Sequence, residues 1–208
     1  MEGAFMTWSK RLFDLAAALF LTVLLFPLIV ILTLVILIRE GRPVLYISER
    51  MKTADDPFQL WKYRTMTVAE QDSGVSGGDK AARITPTGAF LRRYRLDEIP
   101  QLWNILRGDI SFVGPRPPLR RYVEMFPDLY RKVLHSRPGI TGLATILFHR
   151  HEENILADCQ TPKETESAYV RRCVPRKAAL DLIYQSRRNL CLDIALMIKT
   201  VFRKFPLK

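Results

Sequence analysis

Apolar residues are spread unevenly along the chain, and the densest run comes early. From Leu12 to Ile38 the sequence LFDLAAALFLTVLLFPLIVILTLVILI continues for about 27 residues with Asp14 as its only charge, where a spanning helix needs roughly 20. The pattern predicts a membrane segment that stays in the mature protein, because the run is far longer than a signal-peptide core and no small-x-small cleavage site follows. Pro27 lies near its middle and leaves two topologies open. One is a kinked single span; the other is a helix that breaks at Phe26-Pro27 and returns to the side it came from. Lys10 and Arg11 precede the run and Arg39 and Arg42 follow it, so charge does not assign its ends to opposite sides. Asp14, one turn after Lys10, predicts a shallow ion pair at headgroup level rather than a substrate site.

Beyond the run the period shortens. Two β-prone stretches, around Tyr46 and from Phe58 to Tyr63, flank the turn-like Thr53-Ala54-Asp55-Asp56-Pro57 and predict a hairpin. Residues 70–80, EQDSGVSGGDK, read as a mobile loop; GxxxxGK[ST] is not matched there, so no phosphate loop is assigned. After Pro100, Ile99, Leu102, Trp103 and Leu106 recur at helical spacing up to Gly108 and are assigned to the core. Ile110 to Val113 predicts a strand, closed by Gly114-Pro115-Arg116-Pro117-Pro118, a rigid turn that presents an arginine. Residues 119–135 read as helix and Arg137 to Gly142, RPGITG, as a further turn. From about residue 177, Leu180, Ile183, Leu190, Ile194, Met197, Ile198, Val201 and Phe205 mix with Lys199, Arg203 and Lys204, predicting amphipathic helices on a membrane surface. Residues 1–42 form the expected anchor and 43–208 one compact unit.

Charge narrows the partners. Lys and Arg outnumber Asp and Glu by 32 to 21 across 208 residues, giving +11, which favours nucleic acid, phosphorylated small molecules or acidic lipid. Three widely spaced cysteines, Cys159, Cys173 and Cys191, make neither a disulfide framework nor a zinc ribbon and read as reduced thiols facing a cytosol.

Against that basic background the acids of RLDEIPQLWN, Asp97 and Glu98, stand out. Just ahead of the helix that Pro100 helps start, Asp97 is expected at the N-cap, where anions are favoured. Adjacent residues point in different directions. One carboxylate can attack while the other holds a hard cation such as Mg²⁺, which takes one or two carboxylates plus substrate phosphate oxygens. Arg92, Arg116 and Arg137 suit phosphate oxygens and developing charge. Two acids among bases beside a membrane suggest a diphosphate substrate and a lipid acceptor. A second cluster, HRHEEN from His149 to Asn154, matches neither HExxH nor a Cys/His zinc pattern and reads as a loop or strand, solvated or touching substrate, ahead of a metal site.

KRLFD (Lys10 to Asp14), WKYRTM (Trp61 to Met66), LRRYRLDEIPQLWNILRGDISFVGPRP (Leu91 to Pro117) and RPGITG together resemble the bacterial sugar transferases, the monotopic phosphoglycosyl transferases. The resemblance implies an α+β, mainly helical monotopic membrane protein with a re-entrant helix-break-helix anchor, a small sheet and interfacial helices, its active site on the cytoplasmic face of the bacterial inner membrane. It implies transfer of a phosphosugar from a nucleoside diphosphate sugar, usually a UDP-sugar, to undecaprenyl phosphate, with release of UMP, at the start of surface glycan synthesis. Asp97 would be the nucleophile that carries a covalent phosphosugar and Glu98 the Mg²⁺ ligand. Arg92, Arg116, Arg137 and Lys62 would bind substrate. Nucleic acid is not an expected partner, and a homodimer is allowed. Where many relatives carry serine before the proline of the break, this chain has Phe26. After RPGITG it reads LATILFHRHEEN instead of the usual continuation, so sugar identity does not transfer.

Two other readings predict different outcomes. A metal-dependent nucleotide-sugar hydrolase would release free sugar phosphate without lipid. A non-catalytic basic scaffold would tolerate Asp97→Asn and lose binding steeply with salt.

Overall fold

The computed structural model describes residues 7–68 and 82–202. The loop expected over 70–80 lies outside them, as do Arg203, Lys204 and Phe205 of the C-terminal stretch.

Helix α1 (Trp8–Glu40) starts at Thr7, whose hydroxyl accepts from the Lys10 amide, and stops at Gly41, where φ is 71° and the amide donates to the Leu37 carbonyl. The positive φ favours glycine there and turns the chain out of the helix. The helix runs continuously through Pro27, so the expected interruption at Phe26-Pro27 is absent. Proline removes one hydrogen bond, and the flanking Thr22 and Thr33 hydroxyls donate to the Ala18 and Ile29 carbonyls four residues back, at 2.7 Å each. Such back-bonding bends a helix without ending it. Leu19, Phe20, Val23, Leu24, Phe26, Val30 and Ile31 stand exposed along α1, a surface that water would not tolerate and lipid would. This is a membrane-associated α+β protein.

Both ends of α1 are fixed to the same domain. Near its start, Arg11 donates to the carbonyls of Ile105 and Leu106 at 2.7 and 2.9 Å, capping the end of helix α3 (Gln101–Arg107). Near its end, Arg64 donates to the Glu40 and Gly41 carbonyls at 2.6 and 2.9 Å, and Thr85 donates to Glu40 Oε1 at 2.6 Å. Arginine forks thus satisfy helix-terminal carbonyls that have no partner of their own. Lys10 binds both Asp14 and Asp193 at 2.9 Å, so the expected Lys10–Asp14 pair exists, extended by a second acid.

Strands β1 (Leu45–Met51) and β2 (Pro57–Tyr63) form the expected antiparallel hairpin, with Tyr46 opposite Lys62 and Arg50 opposite Phe58. The Thr53 hydroxyl accepts from the amides of Asp55 and Asp56 and shapes its turn. The free edge of β2 is closed by buried Asn104 of α3, which accepts from the Trp61 amide and donates to the Gln59 carbonyl and to Asp109. Exposed sheet edges are hazards, and this one is covered.

Helix α2 (Pro86–Arg93) leads through a left-handed Arg95, φ 56°, into a single 3-10 turn, Leu96–Glu98, and then α3. The predicted stop at Gly108 holds, with φ 85°. Trp103 does not join the core: it is 49% exposed, while its neighbours Leu102 and Ile105 are buried. On a helix of two turns the single inward face goes to Leu102 and Ile105, and Trp103 points outward.

Strand β3 (Ser111–Val113) pairs in parallel with β4 (Gly139–Thr141), so RPGITG supplies a strand rather than only a turn. Between them lie α4 (Arg120–Met125) and α5 (Pro127–Val133), the predicted helix split where Phe126 precedes a proline. Gly114 lies so close to the Arg137 carbonyl that a Cβ would collide with it, which requires glycine at the crossing.

Helices α6 (Leu143–Ala157), α7 (Pro162–Ala168), α8 (Val174–Arg187) and α9 (Leu190–Val201) complete the domain, a π-helical turn, Tyr169–Cys173, joining α7 to α8. HRHEEN is therefore helical. Helix α8 turns Val174, Ala178, Asp181 and Tyr184 inward, as a wall of the domain. The surface suited to an interface lies on α9, where Leu190, Ile194, Ile198 and Val201 are exposed at about one-turn spacing. One core packs Met51, Tyr122, Val133, Phe148 and Val174; another packs Ala18, Leu60, Ile105, Phe112 and Leu196, joining α1 and α9 to the hairpin and α3.

Candidate active site

Between these cores a cavity of about 740 Å³ opens, and Asp97, Glu98, Lys62, Arg92 and Arg116 all line it. Each is held from a different element. Lys62 comes from β2, Arg92 from the last turn of α2, and the acids from the 3-10 turn. Arg116 sits on a turn pinned on both sides, because Pro115 accepts from the Gly139 amide and Pro118 from the Met51 amide, at 2.9 and 3.0 Å. The rigid presentation expected from the prolines is thus reinforced by the sheet and the hairpin.

Asp97 does not cap α3. Pro100 occupies that position without a side-chain cap, because the left-handed Arg95 starts a separate turn in which the Glu98 amide bonds the Arg95 carbonyl. The pair nonetheless faces the cavity with unlike surroundings. Lys62 Nζ lies 2.9 Å from Glu98 Oε1 and Arg116 Nη2 lies 3.3 Å from the same oxygen. Arg95 Nη1 is 3.8 Å from Oε2. Burial works against ionisation of Glu98, but Lys62, Arg116 and Arg95 outweigh it and hold the carboxyl down to about 2. Asp97 shows the reverse: burial, reinforced by the Glu98 charge, pushes it above the ordinary aspartate value against the pull of Lys62, Arg92 and Arg116. Lys62 is in turn lowered, first by burial. Two neighbouring carboxyls driven apart in this way can divide two chemical roles.

The fit to Mg²⁺ turns on one atom. Glu98 Oε2 is buried and accepts no hydrogen bond, leaving a hard oxygen for a hard cation. No group of three His, Cys, Asp or Glu able to hold a metal occurs among the described residues, so substrate oxygens would have to complete a shell around Glu98, as Mg²⁺ sites beside phosphates commonly do.

The profile of the bacterial sugar transferase family matches residues 5–206. The chain belongs to that family. It is therefore an enzyme, a sugar transferase. It is 41% identical over 137 residues to the uncharacterized sugar transferase EpsL of Bacillus subtilis, covering 66% of this chain and 67% of that protein. It is 32% identical to the UDP-glucose:undecaprenyl-phosphate glucose-1-phosphate transferase of Klebsiella pneumoniae, over 94% of this chain and 40% of the relative. It is 29% identical to the UDP-N-acetylgalactosamine-undecaprenyl-phosphate N-acetylgalactosaminephosphotransferase of Aeromonas hydrophila, over 92% of this chain and 42% of the relative. The match thus spans less than half the length of the latter two.

One expected substrate residue of the transferase stands apart. Arg137 does not line the cavity; it packs by Gly108, with Arg11, Asp14 and Asp109 as its charged neighbours. The parallel pairing of β3 and β4 carries the head of RPGITG to the base of α3, away from Asp97. HRHEEN, expected as a loop or strand that is solvated or touches substrate, reaches the cavity from a helix, and one further cavity residue, Arg50, was not expected. His149, from HRHEEN, lines it together with Glu152, and a helical reading would have put them on one face at i,i+3. Arg50 lines it from β1 with Tyr46 and Ser48. Burial and the nearby Arg116 lower its pKa. Strand alternation through 46, 48 and 50 was the available signal.

Proposed function

We propose that this transferase moves a phosphosugar from a UDP-sugar to undecaprenyl phosphate and releases UMP, through a phosphosugar carried on Asp97. The observation that supports this most is the unequal acid pair inside a cationic cavity. The donor's diphosphate would lie against Lys62, Arg92, Arg116 and Arg50. An Asp97 carboxylate oxygen attacks the phosphorus that bears the sugar; the bond from that phosphorus to the bridging oxygen breaks and UMP leaves with the electron pair. An oxygen of the polyprenyl phosphate then attacks the same phosphorus, its bond to Asp97 breaks, and the carboxylate is restored. Lys62 and Arg116 offset charge on the phosphoryl oxygens and hold Glu98 in place. Glu98 Oε2 would hold Mg²⁺, which when bound polarises phosphoryl oxygens and offsets their charge.

A lipid acceptor fits the neighbourhood. Helix α2 sends Arg92 into the cavity and leaves Phe90 and Tyr94 exposed on its outer side. Re-entry of α1 is supported by its two fixed ends: Arg11 and Glu40 are held by one domain, and α1 is the only helix among the described residues long and apolar enough to cross a membrane. A helix of 33 residues is about 50 Å long at 1.5 Å per residue. Its middle can enter the bilayer with both ends on the cytoplasmic face if it bends near Pro27. Cysteines at positions 5 and 45 should label from the same side; opposite sides would replace re-entry with a single span.

The reaction is tested by incubating the enzyme with UDP-sugars, undecaprenyl phosphate and Mg²⁺ and reading UMP. Without lipid, mass spectrometry should find a phosphosugar on Asp97. Free sugar phosphate formed equally well without lipid would instead indicate hydrolysis.

A further inference from the structure

The cavity lining also includes a group whose chemistry differs from that of the acid pair. Asp181 of α8 lines the cavity together with Tyr130 of α5 and Lys177 one turn earlier. Asp181 is only 7% exposed, and its Oδ1 accepts no hydrogen bond. Lys177 does not neutralise it by contact: its Nζ is held by both oxygens of Glu152, at 2.9 Å each, and by the Tyr169 hydroxyl at 3.4 Å. Burial pushes the Asp181 carboxyl up to about 7, with Lys177 opposing. A buried acid with an unmet acceptor costs stability. Its chain neighbours Leu180 and Leu182 pack against the core, so an apolar residue would suit this stretch of α8 if folding alone mattered.

The ligand that meets Asp181 is not a phosphate. Four of the cavity's cations, Lys62, Arg92, Arg116 and Arg50, gather around the acid pair and the hairpin, and a carboxylate repels phosphate. A neutral O–H or N–H donor is what an unpaired carboxylate oxygen lacks. On the transferase reading, on which this inference rests, the donor substrate carries such groups on both sides of its diphosphate, as sugar hydroxyl or acylamino groups and as the base imide. A cavity of about 740 Å³ is within the range that holds a ligand of that size.

We propose that Asp181 is a specificity residue of the donor pocket, its Oδ1 accepting a hydrogen bond from a neutral O–H or N–H of the nucleotide sugar beyond the diphosphate. The test compares Asp181→Ala with Asp181→Asn, which keeps one carbonyl acceptor, in the full-length enzyme with UDP-glucose and with UDP-N-acetylgalactosamine. Asp181→Ala should raise the donor KM at least tenfold with kcat within about threefold and an unchanged or higher melting temperature at pH 8; Asp181→Asn should recover most of the affinity. If the base supplies the donor, inhibition by UMP weakens by the same factor; if the sugar does, UMP inhibition is unchanged. Either result supports the pocket. A donor KM for Asp181→Ala within twofold of wild type overturns it, as does a lower melting temperature with unchanged KM. Calorimetric binding of the same UDP-sugars reads the affinity without turnover. A wild type that binds but releases no UMP overturns the reaction, and equal affinities for wild type and Asp181→Ala overturn the pocket.

Discussion

Two lysines in this molecule each bind a carboxylate at 2.9 Å, and they do opposite jobs. Lys10 joins Asp14 to Asp193 where α1 meets α9, and Asp193 also accepts from the Tyr184 hydroxyl at 2.6 Å. With Arg11, Arg107, Arg137 and Asp109 nearby, that cluster has four bases to three acids, and none of its members lines the cavity. Lys62 meets Glu98 in a cluster where two acids face Lys62, Arg92, Arg95 and Arg116, all of them lining the cavity. A nearly balanced, closed charge group fastens helices. An unbalanced, open one suits an anion, because its two carboxylates leave part of its positive charge uncompensated. Asp14 Oδ2 also lacks a hydrogen bond, so an orphan oxygen alone does not mark a site; the surplus charge and the opening do.

Asp97 carries the largest expected effect in the open cluster. Asp97→Asn should lower turnover roughly 10³-fold or more, as removal of a nucleophile does, with no adduct in lipid-free incubations and an unchanged melting temperature. Turnover of the wild type should fall as pH drops through a carboxyl that burial places above the ordinary aspartate value, while Glu98, held to about 2, stays ionised. A rate that stays flat until the pH reaches the range of Glu98 would contradict that assignment.

Lys10→Met should be the largest change in stability, about 3 kcal/mol, since it strands two buried carboxylates. Its turnover per folded molecule should be nearly unchanged, as read by denaturation and active-site titration. Loss of turnover without loss of stability would erase the distinction between the two lysines.

Glu98→Gln should lower turnover about 10²-fold, the scale of one electrostatic contact to the reacting group, and weaken the dependence on Mg²⁺ concentration. An unaltered metal requirement would remove Glu98 as the ligand. The smallest effect is expected from the arginines taken as a pair. Arg116→Gln should raise the donor KM about tenfold, whereas Arg137→Gln should leave it within about twofold, because only Arg116 touches the acid cluster. Equal effects would return Arg137 to the site.

Much of the machinery could be read along the chain because it is local. The apolar run, the hairpin around Asp55-Asp56, the stop at Gly108 and the prolines around Arg116 each follow from periodicity or from one residue's backbone limits. Readings that needed a partner surface failed. Trp103 looks like core until α3 is docked through Asn104, and HRHEEN looks like a loop until α6 packs against α8. Asp97 looks like a helix cap until the left-handed Arg95 separates its turn from α3.

By itself, then, the sequence determined that a long apolar helix precedes a basic domain, and that Asp97 and Glu98 sit among arginines in a motif typical of sugar transferases. The motifs also named Lys62, Arg92 and Arg116 beside them; only the tertiary structure added Arg50 and removed Arg137. Lys62, Arg50, Arg92 and Arg116 arrive from separate elements, while β3 and β4 carry Arg137 elsewhere. It also decided that the two acids differ, because ionisation depends on burial and on charges brought close from distant positions, and these exist only once the chain is folded.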